Sequence, residues 1–149
     1  MKKFSFSLEN VLRYKNQLVD GLNAERAALL LRVRKQEEKI ETLKNRYREM
    51  NQQYAEQKAI GFTVAEAREY EAFFRSMERV IEQELRVLDE LRKAEEEKRA
   101  EMIEARKESM SIEKLREKEH EAYNKMVQKT EEQMMEEFVS NSRAAEVRV

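Results

Sequence analysis

Ala59-Ile60-Gly61-Phe62-Thr63-Val64-Ala65-Glu66 is the one stretch of this 149-residue chain that gives a helix both a reason to stop and a reason to start again. Gly61 can take the left-handed conformation that ends a helix without a side-chain penalty. Thr63 and Glu66, three residues apart, can form a capping box that satisfies the free amides of a new first turn. A reversal of the chain is therefore expected here. Proline is absent and the only other glycine, Gly21, lies inside a helical pattern, where it costs about 1 kcal/mol relative to alanine without breaking the helix.

Upstream of this turn, steps of four and three residues from Leu8 give Leu12, Lys15, Val19, Leu22, Arg26, Leu29, Val33, Gln36, Ile40, Leu43, Tyr47, Met50 and Tyr54. Only Lys15, Arg26 and Gln36 interrupt the apolar stripe. A 3.5-residue repeat of this kind keeps one face against a partner helix, as a coiled coil requires. Downstream the same steps give Tyr70, Phe74, Met77, Ile81, Glu84, Leu88, Leu91, Glu95, Lys98, Met102, Ala105, Ser109 and Ile112, a weaker stripe. A stutter near Leu115 then shifts the apolar positions to Ala122, Tyr123, Met126, Met134 and Phe138.

The expected fold is all-α: a single antiparallel two-helix coiled-coil hairpin, elongated, over residues 1–149. The first helix spans about 7–58, the turn about 59–63 and the second helix about 64–140, with a frayed tail at 141–149. Ser7 is placed to cap the first helix, and Phe6 with Val11 to staple it. Reflection about Gly61 pairs Leu88 with the region of Arg34 and Leu8 with the region of residue 114, leaving about 118–138 as an overhang. Leu30 and Leu31 face a charged stretch and are expected to be undercovered.

Composition narrows the function classes. Charged residues make up 41% of the chain, against roughly 25% in an average soluble domain, which calls for a large surface. Thirty basic and thirty-one acidic side chains leave a formal charge of −1, so no net field gathers nucleic acid or an anionic membrane. The longest apolar run, Ala27 to Leu31, is far below the roughly 20 residues of a membrane span, and a cytoplasmic chain is expected. Cysteine is absent, which removes disulfides and thiolate chemistry.

No catalytic, cofactor or metal motif stands out. The only histidine, His120, sits among charges and reads as a solvated helix position rather than a ligand, because a metal site needs several convergent donors. The run Glu95-Glu96-Glu97 points in three directions on a helix and forms no single site. The chain is read as a non-enzyme without cofactor, small-molecule substrate or nucleic acid. Two clusters are more informative. Tyr47, Tyr54, Phe62, Tyr70, Phe73 and Phe74 flank the turn; Phe62 and Phe73, off the stripes, are expected at least half exposed and suited to anchoring a partner. Methionines Met102, Met110, Met126, Met134 and Met135 concentrate in the last third, where flexible thioethers suit an adaptable contact surface.

The opening Phe6, Leu8, Val11, Leu12, Tyr14 and Lys15 resembles the start of the FliJ family of flagellar type III export proteins. Glu113, Lys114 and Leu115, with Gln133, Glu136 and Glu137, resemble its C-terminal stretch. The resemblance implies a shape like the central stalk of rotary ATPases. It also implies three partners: a hexameric export ATPase, whose assembly and activity the chain promotes, an export-gate membrane protein, and export chaperones. The free chain is expected to be a monomer, cytoplasmic and peripherally associated with the inner-membrane export apparatus. In this reading Phe6, Tyr14, Tyr123, Met126, Met134 and Phe138, at the end carrying both termini, contact the ATPase, while the aromatic turn faces the gate. The alternatives are a structural homodimeric coiled coil and a stalk subunit of another rotary ATPase.

Overall fold

A computed structural model describes residues 2–148, and among them the secondary structure is two helices, α1 (Glu9–Ile60) and α2 (Val64–Val147). The two pack against each other as a helical hairpin. Between them Gly61 adopts φ 103° and its amide donates to the carbonyl of Gln57 (2.8 Å), closing the last turn of α1. The capping box forms as the spacing predicts: the Glu66 amide donates to the Thr63 hydroxyl (3.2 Å) and the Thr63 amide to a Glu66 carboxylate oxygen (3.4 Å).

Two ends differ from the sequence-based expectation. The first turn of α1 is closed by backbone, with the Glu9 amide donating to the Phe6 carbonyl (3.2 Å), while Ser7 and Val11 stay exposed and Phe6 is buried. The cap and staple expected of Ser7 and Val11 give way because Phe6 is drawn into the core, where its ring gains more than a surface staple offers. At the other end α2 does not fray after Ser140 but continues to Val147. The seam pattern fades there, yet residues 141–148 contain no glycine or proline, and Ala144 and Ala145 are strong helix formers.

The chain groups into two units, Asp20–Met102 and Met1–Val19 with Ile103–Val149, and both helices contribute to each. In the unit Asp20–Met102, Ile40, Met77, Leu88 and Met102 are buried, and the remaining seam positions of both helices are half-buried. Four of the polar residues that interrupt the two stripes meet in pairs. Gln36 donates to the carboxylate and the carbonyl of Glu84 (2.9 Å to the carbonyl), Lys39 adds an ion pair to the same carboxylate (3.0 Å), and Arg26 Nε binds Glu95 (2.8 Å). Hydrogen bonds from Gln36 and then Lys39 hold the Glu84 carboxyl below its ordinary pKa. Lys98 pairs with Glu25 (2.9 Å), and that hydrogen bond, followed by the charge of Glu101, raises its pKa. Leu30 and Leu31 are exposed, as the charged stretch opposite them predicts.

In the other unit Phe6, Leu12, Ala105 and Ser109 are buried, and Ser109 hydrogen-bonds Asn16. Lys15 pairs with Glu108 (2.7 Å) and Arg116 with Glu9 (2.9 Å). Leu115 is exposed, and the seam position there is taken by Arg116. Its stem can lie along the seam while its guanidinium reaches Glu9 and sits 5.7 Å from the Phe4 ring centre.

Candidate functional site

The six aromatic residues expected at the turn form one connected cluster. Tyr54 is its hub, with ring centres 5.3 Å from Tyr70, 5.6 Å from Phe62 and 5.8 Å from Phe74. Tyr47 meets Phe74 edge-on at 5.2 Å, and Phe73 extends the cluster from Phe74 at 5.9 Å. Edge-to-face pairs of this kind each add about 0.5–1.5 kcal/mol beyond area burial, so the cluster braces the turn. The Tyr47 hydroxyl donates to Glu78 (3.0 Å), and that bond to a carboxylate is the main reason its pKa is raised.

Phe62 and Phe73 are not as open as their off-stripe positions suggest. Both are half-buried, because Phe62 folds back onto Tyr54 and Tyr70 and Phe73 lies against Phe74. Phe73 remains reachable as a wall of a groove of about 410 Å³ that Met50, Gln53, Gln57, Glu66, Glu69 and Tyr70 complete. A second groove of about 360 Å³ has an apolar floor of Ile81 and Leu85 between Lys44 and Arg48 on α1 and Glu78 and Glu82 on α2. Leu85 lies off the seam spacing followed along α2, which is why sequence reasoning passed over it.

The residues expected at the end carrying both termini divide into two groups. Phe6 is 5% exposed and belongs to the core, so it is withdrawn as a contact residue. Tyr123 is half-buried and engaged: its hydroxyl donates to the Lys2 carbonyl (2.6 Å) and its ring lies 5.6 Å from that of Phe4. Tyr14, Met126, Met134 and Phe138 are exposed, the last two at 65% and 74%.

Phe4 is the residue the sequence reasoning missed. It stacks edge-on against His120 at 4.7 Å and draws the nonhelical segment before α1 along α2, where Lys2, Lys3, Phe4 and Ser5 line a groove with Glu119, Tyr123 and Met126. The alternation Phe4-Ser5-Phe6-Ser7 was the available signal, since period two marks an extended segment with one apolar face. The segment runs back along α2 nearly residue for residue, with Glu9 meeting Arg116, Phe4 meeting His120 and the Lys2 carbonyl meeting Tyr123, so its cover reaches past residue 118. The overhang expected from 118 onward is correspondingly shorter. Every described residue from Glu131 to Arg148 is exposed.

Among the described residues no three His, Cys, Asp or Glu are grouped to hold a metal ion, and no helix is long and apolar enough to cross a membrane. What both surfaces offer is apolar contact edged with charge.

The sequence model of the family described as Flagellar FliJ protein matches residues 4–147, nearly the whole chain, including the Phe4 segment and the exposed end of α2. The chain belongs to the FliJ family. No curated protein and no solved structure matches it. Membership in FliJ, a family of non-catalytic flagellar export components, gives the chain a flagellar, export-related role. The opening residues Phe6, Leu8, Val11 and Leu12, which carried the resemblance, occupy in this FliJ chain the junction where the N-terminal segment enters α1.

Proposed function

We propose that this FliJ-family chain is a non-enzymatic adaptor of the flagellar type III export apparatus, which binds the hexameric export ATPase and promotes its assembly and activity. It acts in the cytoplasm at the membrane-embedded export gate, which it also contacts, and it escorts export chaperones. The observation that carries the reading is the exposed apolar surface of Met126, Met134 and Phe138 in a chain of this family. Apolar side chains so exposed on a highly charged helix favour burial against a protein partner. We assign the ATPase to this surface, together with Tyr14 and the edge of Tyr123. The gate falls to the aromatic cluster of Tyr47, Tyr54, Phe62, Tyr70, Phe73 and Phe74, with Phe73 as the most reachable ring.

Turnover of the cognate ATPase with and without the purified chain tests the reading, with light scattering giving the mass of the free chain. Stimulation by a one-chain species is the expected result. Phe73→Ala should weaken binding to the gate's soluble portion while leaving ATPase stimulation intact. Phe74→Ala should do the same with an added loss of stability, since Phe74 also packs against Tyr47 and Tyr54. Lost stimulation with normal gate binding would reverse the assignment of the two surfaces.

A further inference from the structure

The last part of α2 continues an interface that is already in use. Along α2 the seam passes through Ile112, Arg116 and Tyr123 to Val127 and Thr130, all half-buried, and the same helix face continues to Met134 and Phe138, which are open. At 100° per residue Glu131 and Glu137 lie about 60° to either side of Met134, so they are the flanking positions of this open seam. Both are acidic. From Glu131 to Glu137 the sequence EEQMMEE carries four glutamates and no cation, and the nearest basic residues in the chain are Lys129 and Arg143.

Where α2 is covered, glutamates on or beside its seam are answered by cations of the covering helix. Glu84 meets Lys39, Glu95 meets Arg26 and Glu108 meets Lys15. Glu131 and Glu137 flank the seam as Glu108 does, and among the described residues no cation answers them. A second copy of this stretch would set glutamate against glutamate across the pair, which like-charge repulsion disfavours. We infer that the face Met134, Phe138, Glu131 and Glu137 docks an amphipathic helix of a protein partner whose apolar stripe is flanked by lysines or arginines. The inference deepens the reading of the preceding section by giving the recognition chemistry of the surface assigned there to the ATPase, and it rests on that reading only for the partner's identity.

The test uses the full chain and two synthetic helical peptides with the same leucine stripe, one flanked by lysines and the other by glutamates. Binding is followed by fluorescence anisotropy at low and high salt, and the site is mapped by amide exchange. The lysine peptide is expected to bind about tenfold more tightly than its twin, with protection centred on residues 131–139 and a preference that shrinks in high salt. Glu131→Lys with Glu137→Lys should reverse the preference, and Met134→Ser with Phe138→Ser should abolish binding of both peptides. Equal affinity for the two peptides, or protection elsewhere, overturns the inference. So does a two-chain mass in light scattering that Met134→Ser with Phe138→Ser reduces to one, since the face would then belong to a second copy. The same variants are tested against the ATPase. Peptide preference with ATPase binding indifferent to all four substitutions supports the docking chemistry and removes the ATPase as its occupant. ATPase binding lost with Met134→Ser and Phe138→Ser, but without peptide preference, overturns the docking chemistry and leaves the ATPase assignment standing.

Discussion

The two glycines offer a test in which one substitution has opposite effects for one stated reason. A methyl group added at Gly21 or at Gly61 meets nothing within 4 Å, so neither change is decided by packing. Backbone conformation alone separates them. Gly21 lies within α1, where alanine is favoured over glycine by about 1 kcal/mol. Gly61 has φ 103°, where an L side chain costs roughly 1–2 kcal/mol. For a chain of this size 1 kcal/mol moves the melting temperature by about 2–4 °C. Gly21→Ala should therefore raise Tm by about 2–4 °C, and Gly61→Ala should lower it by roughly 2–8 °C. Gly61→Asn should fall between wild type and Gly61→Ala, because asparagine tolerates the left-handed region. Thermal unfolding followed by circular dichroism at several concentrations reads all three. Nitroxides at Glu41 and Gln83, both exposed, report the turn itself. Packed helix axes lie about 8–10 Å apart, whereas one uninterrupted helix would separate these positions by roughly 60 Å. Equal Tm shifts for the two alanine variants, or labels far apart within one molecule, would refute the reversal at Gly61.

Two further outcomes follow from the seam. Leu88→Ala, at a residue 6% exposed, should cost about 2–4 kcal/mol, whereas Leu31→Ala, at 52% exposure, should stay within about 0.5 kcal/mol; chemical denaturation measures both, and similar losses would mean that the seam is misassigned. The Glu84 carboxyl, held below its ordinary pKa by Gln36 and Lys39, stabilises the folded chain fully above the usual carboxylate range and loses that contribution as pH falls through its lowered folded value. Gln36→Leu should therefore move the Glu84 titration, followed by carboxyl NMR, back toward ordinary values, and an unchanged titration would rule out the Gln36 bond as the main cause.

The seam and the turn were readable from sequence because each rests on local rules. The 3.5-residue spacing picked out the covered faces of both helices, and Gly61, Thr63 and Glu66 carried the signals for stopping and restarting within six residues. The long-range pairs were harder to see. Gln36, Glu84, Arg26 and Glu95 looked like defects in two separate stripes, and only the reflection of one helix onto the other shows that they answer each other. Phe4 and its packing against Tyr123 escaped for a related reason: a spacing of four and three does not detect a nonhelical segment lying on a helix. Phe6 was misjudged as a contact residue because the same segment carries it into the core. The end of α2 was set too early because a lost apolar stripe was taken for a lost helix, although α2 needs no seam to keep its backbone bonds.

No large side chain among the described residues is fully sealed from water, which follows from a core only one layer thick. Unfolding such a chain exposes less apolar area per residue than melting a globular domain, so its heat-capacity increment should fall below the usual ~12–15 cal/mol/K per residue. The free energy of folding should then vary gently with temperature. Each layer can also open and reclose without waiting for its neighbours, so hydrogen exchange should show a gradient along the helices instead of one shared rate.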